Sequence, residues 1–208
     1  MPRALILANG LPPSAELLKR AVARSALFVC ADGGANTAAR HGVLPHAIVG
    51  DLDSSSPEAL ASLGAIEVIH DPDTERTDTE KAIEWTLARG PFEEIVVLGA
   101  MAGRLDHMVG HLSLLRRFLD RVTIVLEDEL ARAWLARGKV AIAEPPGTVV
   151  SFFAVGEPAI GVTTSGLRYP LRDRRLELGV QDSISNVVDV SPASIAIGRG
   201  ELLVVVNR

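Results

Sequence analysis

The sequence predicts an α/β fold: a Rossmann-like parallel-sheet domain followed by a small all-β, sandwich-like domain. Three observations carry this. Up to about residue 125, short apolar β-like runs alternate with helical patterns, the rhythm of a parallel sheet with right-handed crossovers. Near residue 138 the rhythm changes and Pro145-Pro146-Gly147 breaks the chain; beyond it lie only short strand-like runs punctuated by Gly, Pro, Asn and Asp. Thirdly, acidic motifs directly follow apolar runs. In a parallel sheet those carboxylates gather at the carboxyl ends of the strands, where open α/β sheets bind ligands.

In chain order, Ala4–Ala8 reads as a first strand, and Ser14 caps a helix running to about Arg24. Leu27–Ala31, Ala47–Val49, Glu67–Ile69, Ile95–Leu98 and Val122–Leu126 are the following strands, with helices between them. Thr77 and Glu80 form a capping box for a helix over Thr79–Arg89, whose apolar face is Ala82, Ile83, Thr86 and Leu87. Leu105–Leu119 is a second amphipathic helix, with Leu105, Met108, Val109, Leu112, Leu115 and Leu119 at helical spacing on the face expected to pack inward. The later strands are Thr148–Ala154, Ile160–Thr164, Leu167–Leu171, Arg175–Leu178, Ser194–Ile197 and Leu202–Asn207. The domains expected are 1–137, nucleotide-binding and catalytic, and 138–208, all-β.

Composition narrows the function classes. At 208 residues and 48% hydrophobic, the chain can build a sizeable core, mostly of aliphatic side chains because aromatics are only 4%. A net charge of −5 argues against a broad nucleic-acid footprint. No apolar run approaches the roughly 20 residues that span a bilayer. The apolar stretch ending at Asn9-Gly10 is too short for a secretory signal. Cys30 is the single cysteine, so no intrachain disulfide forms, and a cytoplasmic protein is expected. There is no Walker-type phosphate loop, and Lys19, Lys81 and Lys139 are the only lysines. A G-x-G-x-x-G after the first strand is also missing, which disfavours an ordinary dinucleotide site.

Each acidic motif has a structural reading beside a functional one. Asp32-Gly33-Gly34 allows close approach of backbone to a ligand, or is a plain strand–helix turn. Asp51 and Asp53, at i and i+2, could share a metal; Ser55 or Ser56 suffices to cap the next helix, which leaves the two aspartates to function. Asp78 opens a helix, where the dipole alone stabilises a carboxylate. Yet Asp71, Asp73 and Glu75 precede it, and so many acids in one loop need solvent or a cation. Arg104 and Asp106 follow a glycine-containing loop at another helix start, a setting for phosphate or for a surface ion pair. His107 and His111 lie four apart but lack the H-E-x-x-H pattern, so a polar helix face or a ligand contact is favoured over a metal. Carboxylates gathered in one crevice repel unless a cation sits among them, which points to Mg²⁺ and a phosphorylated substrate. In the second domain, Thr163–Leu171 and Ser183–Asn186 are polar clusters that read most simply as turns.

Taken as an ordered set, these segments resemble the thiamine pyrophosphokinase family. The matching pieces are Ala31–Asn36, Gly50–Ser54, Thr77-Asp78 with Lys81-Ala82, Gly103–His107, Ser165–Tyr169 and Ser185-Asn186. The resemblance implies an α/β nucleotide-binding domain, a C-terminal β domain and a homodimer with thiamine near its interface. It implies ATP as co-substrate, Mg²⁺ as cofactor, and transfer of a pyrophosphoryl group to the thiamine hydroxyl with release of AMP. By the same resemblance Asp51, Asp53 and Asp78 hold Mg²⁺ or position the phosphates. Asp32, Gly33, Gly34, Asn36, Asp51, Thr77 and Gly103 belong to the nucleotide side. Arg104 contacts the transferring group, Asp106 sits by the acceptor hydroxyl, and Ser165, Tyr169, Ser185 and Asn186 line the thiamine pocket. The chain departs from the family pattern at Ala100 and Ala102, where more glycine is usual, at Glu75, often Asp, and at His111, often Asn. A kinase for another small alcohol and a sensor without turnover are the competing functions.

Overall fold

The computed structural model describes residues 2–208, which form two compact units that meet between Glu129 and Leu130 in the sequence. The first unit holds six strands: β1 (Arg3–Leu7), β2 (Leu27–Ala31), β3 (Ala47–Gly50), β4 (Glu67–His70), β5 (Glu94–Leu98) and β6 (Thr123–Glu127). They run in the order β6-β5-β1-β2-β3-β4, every neighbouring pair parallel. Their apolar runs are continuous because helices cover both faces of a parallel sheet. Leu5, Ile6, Leu7, Val29, Ile48, Val97 and Leu98 have no exposed surface, and each such side chain contributes about 1.5–3 kcal/mol relative to exposure. The chain steps from β1 outward to β4, then returns to place β5 on the other side of β1. That reversal opens a crevice between the carboxyl ends of β1 and β5.

The helices start where the capping residues place them. Ser14 accepts from the Leu17 amide (3.2 Å) and opens α1 (Ala15–Ala23). After α2 (Gly34–Arg40), Ser56 accepts from Ala59 N (3.1 Å) and Pro57 fills the first position of α3 (Pro57–Leu63). Thr77 accepts from Glu80 N (3.3 Å) to open α4 (Asp78–Leu87). The reciprocal half of the expected capping box is replaced: the Glu80 carboxylate is taken by Arg117 of α5 (Leu105–Arg117), because a charged guanidinium outcompetes a backbone amide for it. The inward face expected on α5 holds at Leu115 and is corrected at the start of the helix. Leu105 is 69% and Val109 56% exposed, while the buried stripe is His111, Leu114 and Leu115, with Phe118 just beyond. Among the described residues, no helix is long and apolar enough to cross a membrane.

The second unit comprises two antiparallel sheets. One has the order β12-β9-β14-β7, from β7 (Ala131–Ala136), β9 (Val149–Phe153), β12 (Ser183–Val187) and β14 (Leu202–Asn207). The other has the order β11-β10-β13-β8, from β8 (Lys139–Ile142), β10 (Ala159–Ser165), β11 (Arg174–Leu176) and β13 (Ala193–Ala196). Both face one core that includes Val150, Phe152 and Val204 from the first sheet and Val162, Leu176 and Ile195 from the second. Leu167–Leu171 is not a strand. Gly166 turns the chain at φ +75°, Pro170 has no amide hydrogen to give, and only Leu167 bridges, to Val188. Conversely, the polar run Ser183–Val187 is a strand at the sheet edge, where ladder bonds require no apolar side chain.

Candidate active site

The crevice at the β1/β5 reversal is a cleft of about 700 Å³. Its floor is backbone, from Ala8-Asn9-Gly10 after β1 and Gly99-Ala100 after β5. These two segments are stitched by Ala8 N to the Leu98 carbonyl (2.8 Å) and Gly10 N to the Gly99 carbonyl (3.0 Å). A Cβ at Gly10 would lie 2.2 Å from the Gly99 oxygen, so the approach tolerates only glycine. One wall is the loop from Thr74 through the start of α4; the other is Gly103, Arg104, Asp106 and His107 at the start of α5.

Three carboxylates converge from different elements. Asp32 after β2, Asp51 after β3 and Asp78 at the head of α4 each offer an oxygen within 4.8 Å of the others. Gly50 allows this. A Cβ there would stand 2.7 Å from Asp32 Cβ and 3.0 Å from Asp78 Oδ1. Asp32 is buried with backbone φ +38°, and both its oxygens accept, from Ser54 N (3.0 Å) and Ser55 Oγ (2.8 Å). Burial, reinforced by the charges of Asp51 and Asp32, raises the pKa of Asp78 against the opposing hydrogen bond from Lys81. Hard oxygen donors crowded this closely are the donor set of a divalent cation such as Mg²⁺. Asp53 is not in the group; its carboxylate accepts from Ser54 Oγ at 2.9 Å.

The other acids before α4 have a cation of their own. Arg76 donates to Asp73 (Nε, 2.7 Å) and Asp71 (Nη2, 2.9 Å), and this bonding lowers the pKa of Asp73. Lys81, fully buried, donates to Asp78 Oδ1 (3.0 Å) and the Asp71 carbonyl (2.9 Å). Neither base stood out by spacing, although Arg76 is the only one in its acidic run. Asn9 also lines the cleft, and a lone amide after a strand carries no sequence pattern.

Arg104 and Asp106 form an exposed bidentate pair (2.6 and 3.2 Å) at the cleft mouth. That bonding holds the Asp106 pKa at about 2. Thr77 lines the cleft and Gly103 borders it, whereas Gly33 and Gly34 lie behind, packed on Asn9 and Leu7. The Asn36 amide turns away from the cleft to brace the β3–α3 loop, donating to the Ser54 carbonyl (2.8 Å) and accepting from Ser56 N (2.9 Å). In the second unit, Asn186 is buried and clasps Tyr169 through both of its main-chain polar groups (3.1 and 2.7 Å). The Tyr169 side chain is thereby held out in solvent, 60% exposed. Ser165 and Ser185 are exposed, and Ser185 sits at φ +56° with its amide bonded to Ser151 Oγ (3.0 Å).

Comparison with known proteins gives a consistent picture. Residues 18–126 match the family model described as "Thiamin pyrophosphokinase, catalytic domain", and residues 139–201 match "Thiamin pyrophosphokinase, vitamin B1 binding domain". Thiamine pyrophosphokinase 1 of Oryza sativa subsp. japonica is 32% identical over 214 residues, covering 89% of this chain and 79% of its own. Among solved structures, thiamine pyrophosphokinase from Bacillus subtilis superposes with a TM-score of 0.87 at 23% identity, covering 99% of this chain and 98% of its own. Thiamin pyrophosphokinase from Candida albicans gives 0.88 at 19% identity, with 99% and 88% covered.

Proposed function

The chain belongs to the thiamine pyrophosphokinase family, and we propose that its cleft carries out the family reaction: pyrophosphoryl transfer from ATP to the hydroxyl of thiamine. The bond between the β-phosphorus and the oxygen that bridges it to the α-phosphorus breaks as the thiamine oxygen bonds to the β-phosphorus; AMP leaves with the bridging oxygen, and the hydroxyl proton is released. The observation that carries the site assignment is the convergence of Asp32, Asp51 and Asp78 at the reversal of the parallel sheet, the Rossmann-like position for a nucleotide. These three carboxylates would hold Mg²⁺, which supplies charge neutralisation to the phosphates when bound. Asp53, one loop turn from that group, orders the loop through Ser54.

The protein's own groups do the rest. Backbone at Gly10 and Gly99 lines the cleft and lets the nucleotide approach without side-chain obstruction. Arg104 has a planar fork suited to phosphate oxygens, and in the free protein Asp106 occupies it. Asp106, with its pKa at about 2, is a weak base; it orients the acceptor hydroxyl, which suffices when the transition state is loose. An acidic cleft also favours the thiamine cation. In the second unit Ser165, Tyr169 and Ser185 are the proposed thiamine contacts and Asn186 their brace. A homodimer and a cytoplasmic setting belong to the same reading, the latter supported by the single buried Cys30.

A phosphorus NMR time course with thiamine, ATP and Mg²⁺ tests it. Thiamine diphosphate and AMP should appear in equal amounts. Thiamine monophosphate with ADP would mean ordinary phosphoryl transfer, and no product from folded protein would overturn the reading.

A further inference from the structure

His111 lies beneath the cleft with 8% of its surface exposed. Its Nδ1 is 3.1 Å from the Ala100 carbonyl oxygen, and its Nε2 is 3.1 Å from Thr79 Oγ1. A carbonyl only accepts, so Nδ1 carries the hydrogen; Nε2 is then bare and accepts from the Thr79 hydroxyl. One ring therefore ties together two segments that are remote in sequence. Ala100 belongs to the loop that leads into Arg104, and Thr79 directly follows Asp78. Burial lowers the ring's pKa, and His107 adds to the effect against the opposing bond to Ala100; the neutral ring is the form that both contacts describe.

We propose that His111 is a positioning residue, setting the separation between the Gly99–Gly103 loop and the head of α4 so that Arg104 and Asp78 address the same triphosphate. The role rests on the reading of the cleft as the ATP site. An imidazole is rigid and donates at one end while accepting at the other, which a side chain chosen only to fill space need not do.

Two isosteric variants separate the ends of the ring. In His111→Asn the amide nitrogen overlays Nδ1 and keeps the bond to Ala100. In His111→Gln the terminal amide overlays Nε2 and keeps the contact to Thr79. Binding of a non-hydrolysable ATP analogue with Mg²⁺ would be measured by calorimetry for these, His111→Ala and Thr79→Val, with thermal midpoints alongside. Losing the loop attachment should weaken analogue binding about tenfold in His111→Ala and His111→Gln; His111→Asn and Thr79→Val, which each cut only the tie to α4, should lose less, because Arg117–Glu80 and Arg121–Glu84 also join the α5 side to α4. Equal analogue affinity in all variants would overturn the proposal, as would losses that simply track the thermal midpoints. A nitrogen-15 correlation spectrum of the wild-type protein checks the geometry independently of any ligand. The Nδ1–H tautomer is expected at neutral pH, and the Nε2–H tautomer would overturn the proposal. Wild-type protein with the Nδ1–H tautomer that fails to bind the analogue would instead overturn the ATP reading, and the positioning role with it.

Discussion

Asp78 shows how one residue can be costly to the fold and necessary to the chemistry. Its raised pKa means that the folded protein holds this proton to higher pH than the unfolded chain does. Ionised Asp78 therefore lowers stability: the penalty grows as pH rises from the ordinary carboxylate range through the raised value, and is full above it. Replacing Asp78 with Asn keeps an acceptor for Lys81 and removes a charge from beside Asp32 and Asp51. At neutral pH the metal-free variant should melt up to a few degrees higher, while turnover falls at least about a hundredfold. A large drop in thermal midpoint with turnover retained would contradict the assignment. The same shift predicts that the acid limb of kcat/KM lies above the usual carboxylate range. Asp106, held near 2 by Arg104, does not titrate there. Asp51 and Asp78 stood out in the sequence because each directly follows a structural boundary. The inclusion of Asp32 in place of Asp53 was not legible, since it depends on φ at Asp32 and on the Ser54 and Ser55 contacts that hold it.

At the scale of elements, the end of β3 is where packing and chemistry meet. Gly50 leaves room for two carboxylates to approach over the strand. Gly50→Ala should force Asp32 and Asp78 apart, destabilise the protein by about 1–3 kcal/mol, and weaken Mg²⁺ binding and turnover together. Urea unfolding and a metal titration on the same variant check this; unchanged metal affinity would show that the carboxylates tolerate separation. Elements buried on both faces were the most readable. Leu27–Ala31 is a strand over the very residues expected, because a continuous apolar run admits few alternatives. Elements with one open side were harder. The periodicity of α5 marks a stripe of apolar residues but not what covers it: Leu115 packs inward as expected, while Leu105 and Val109 stay open and His111 and Leu114 are buried beside it. The edge strand Ser183–Val187 carries almost no apolar signal, because backbone bonds and the Ser151 hydroxyl hold it.

For the whole molecule, alternation of strand and helix followed by strands alone was enough to foresee an α/β unit and a β unit. The convergence of the acids was foreseeable only as a tendency. It needs β5 to return beside β1, and strand order is set by long-range packing that no local pattern records. The stripe that α5 leaves uncovered bears on the proposed homodimer. Leu105 and Val109 flank Asp106 and His107, and apolar side chains exposed together on one helix face favour contact with another surface. Sedimentation equilibrium should give a mass twice the 22.1 kDa of the chain. Replacing both Leu105 and Val109 with Glu should shift the protein to monomer and depress turnover. The thermal midpoint of the monomer itself should change little, since neither side chain is buried in the single chain. Because association follows mass action, specific activity of the wild-type protein should also fall on dilution below the dimer's Kd. Full turnover by protein that sediments as a monomer would show that a single chain completes the site and would overturn the dimer.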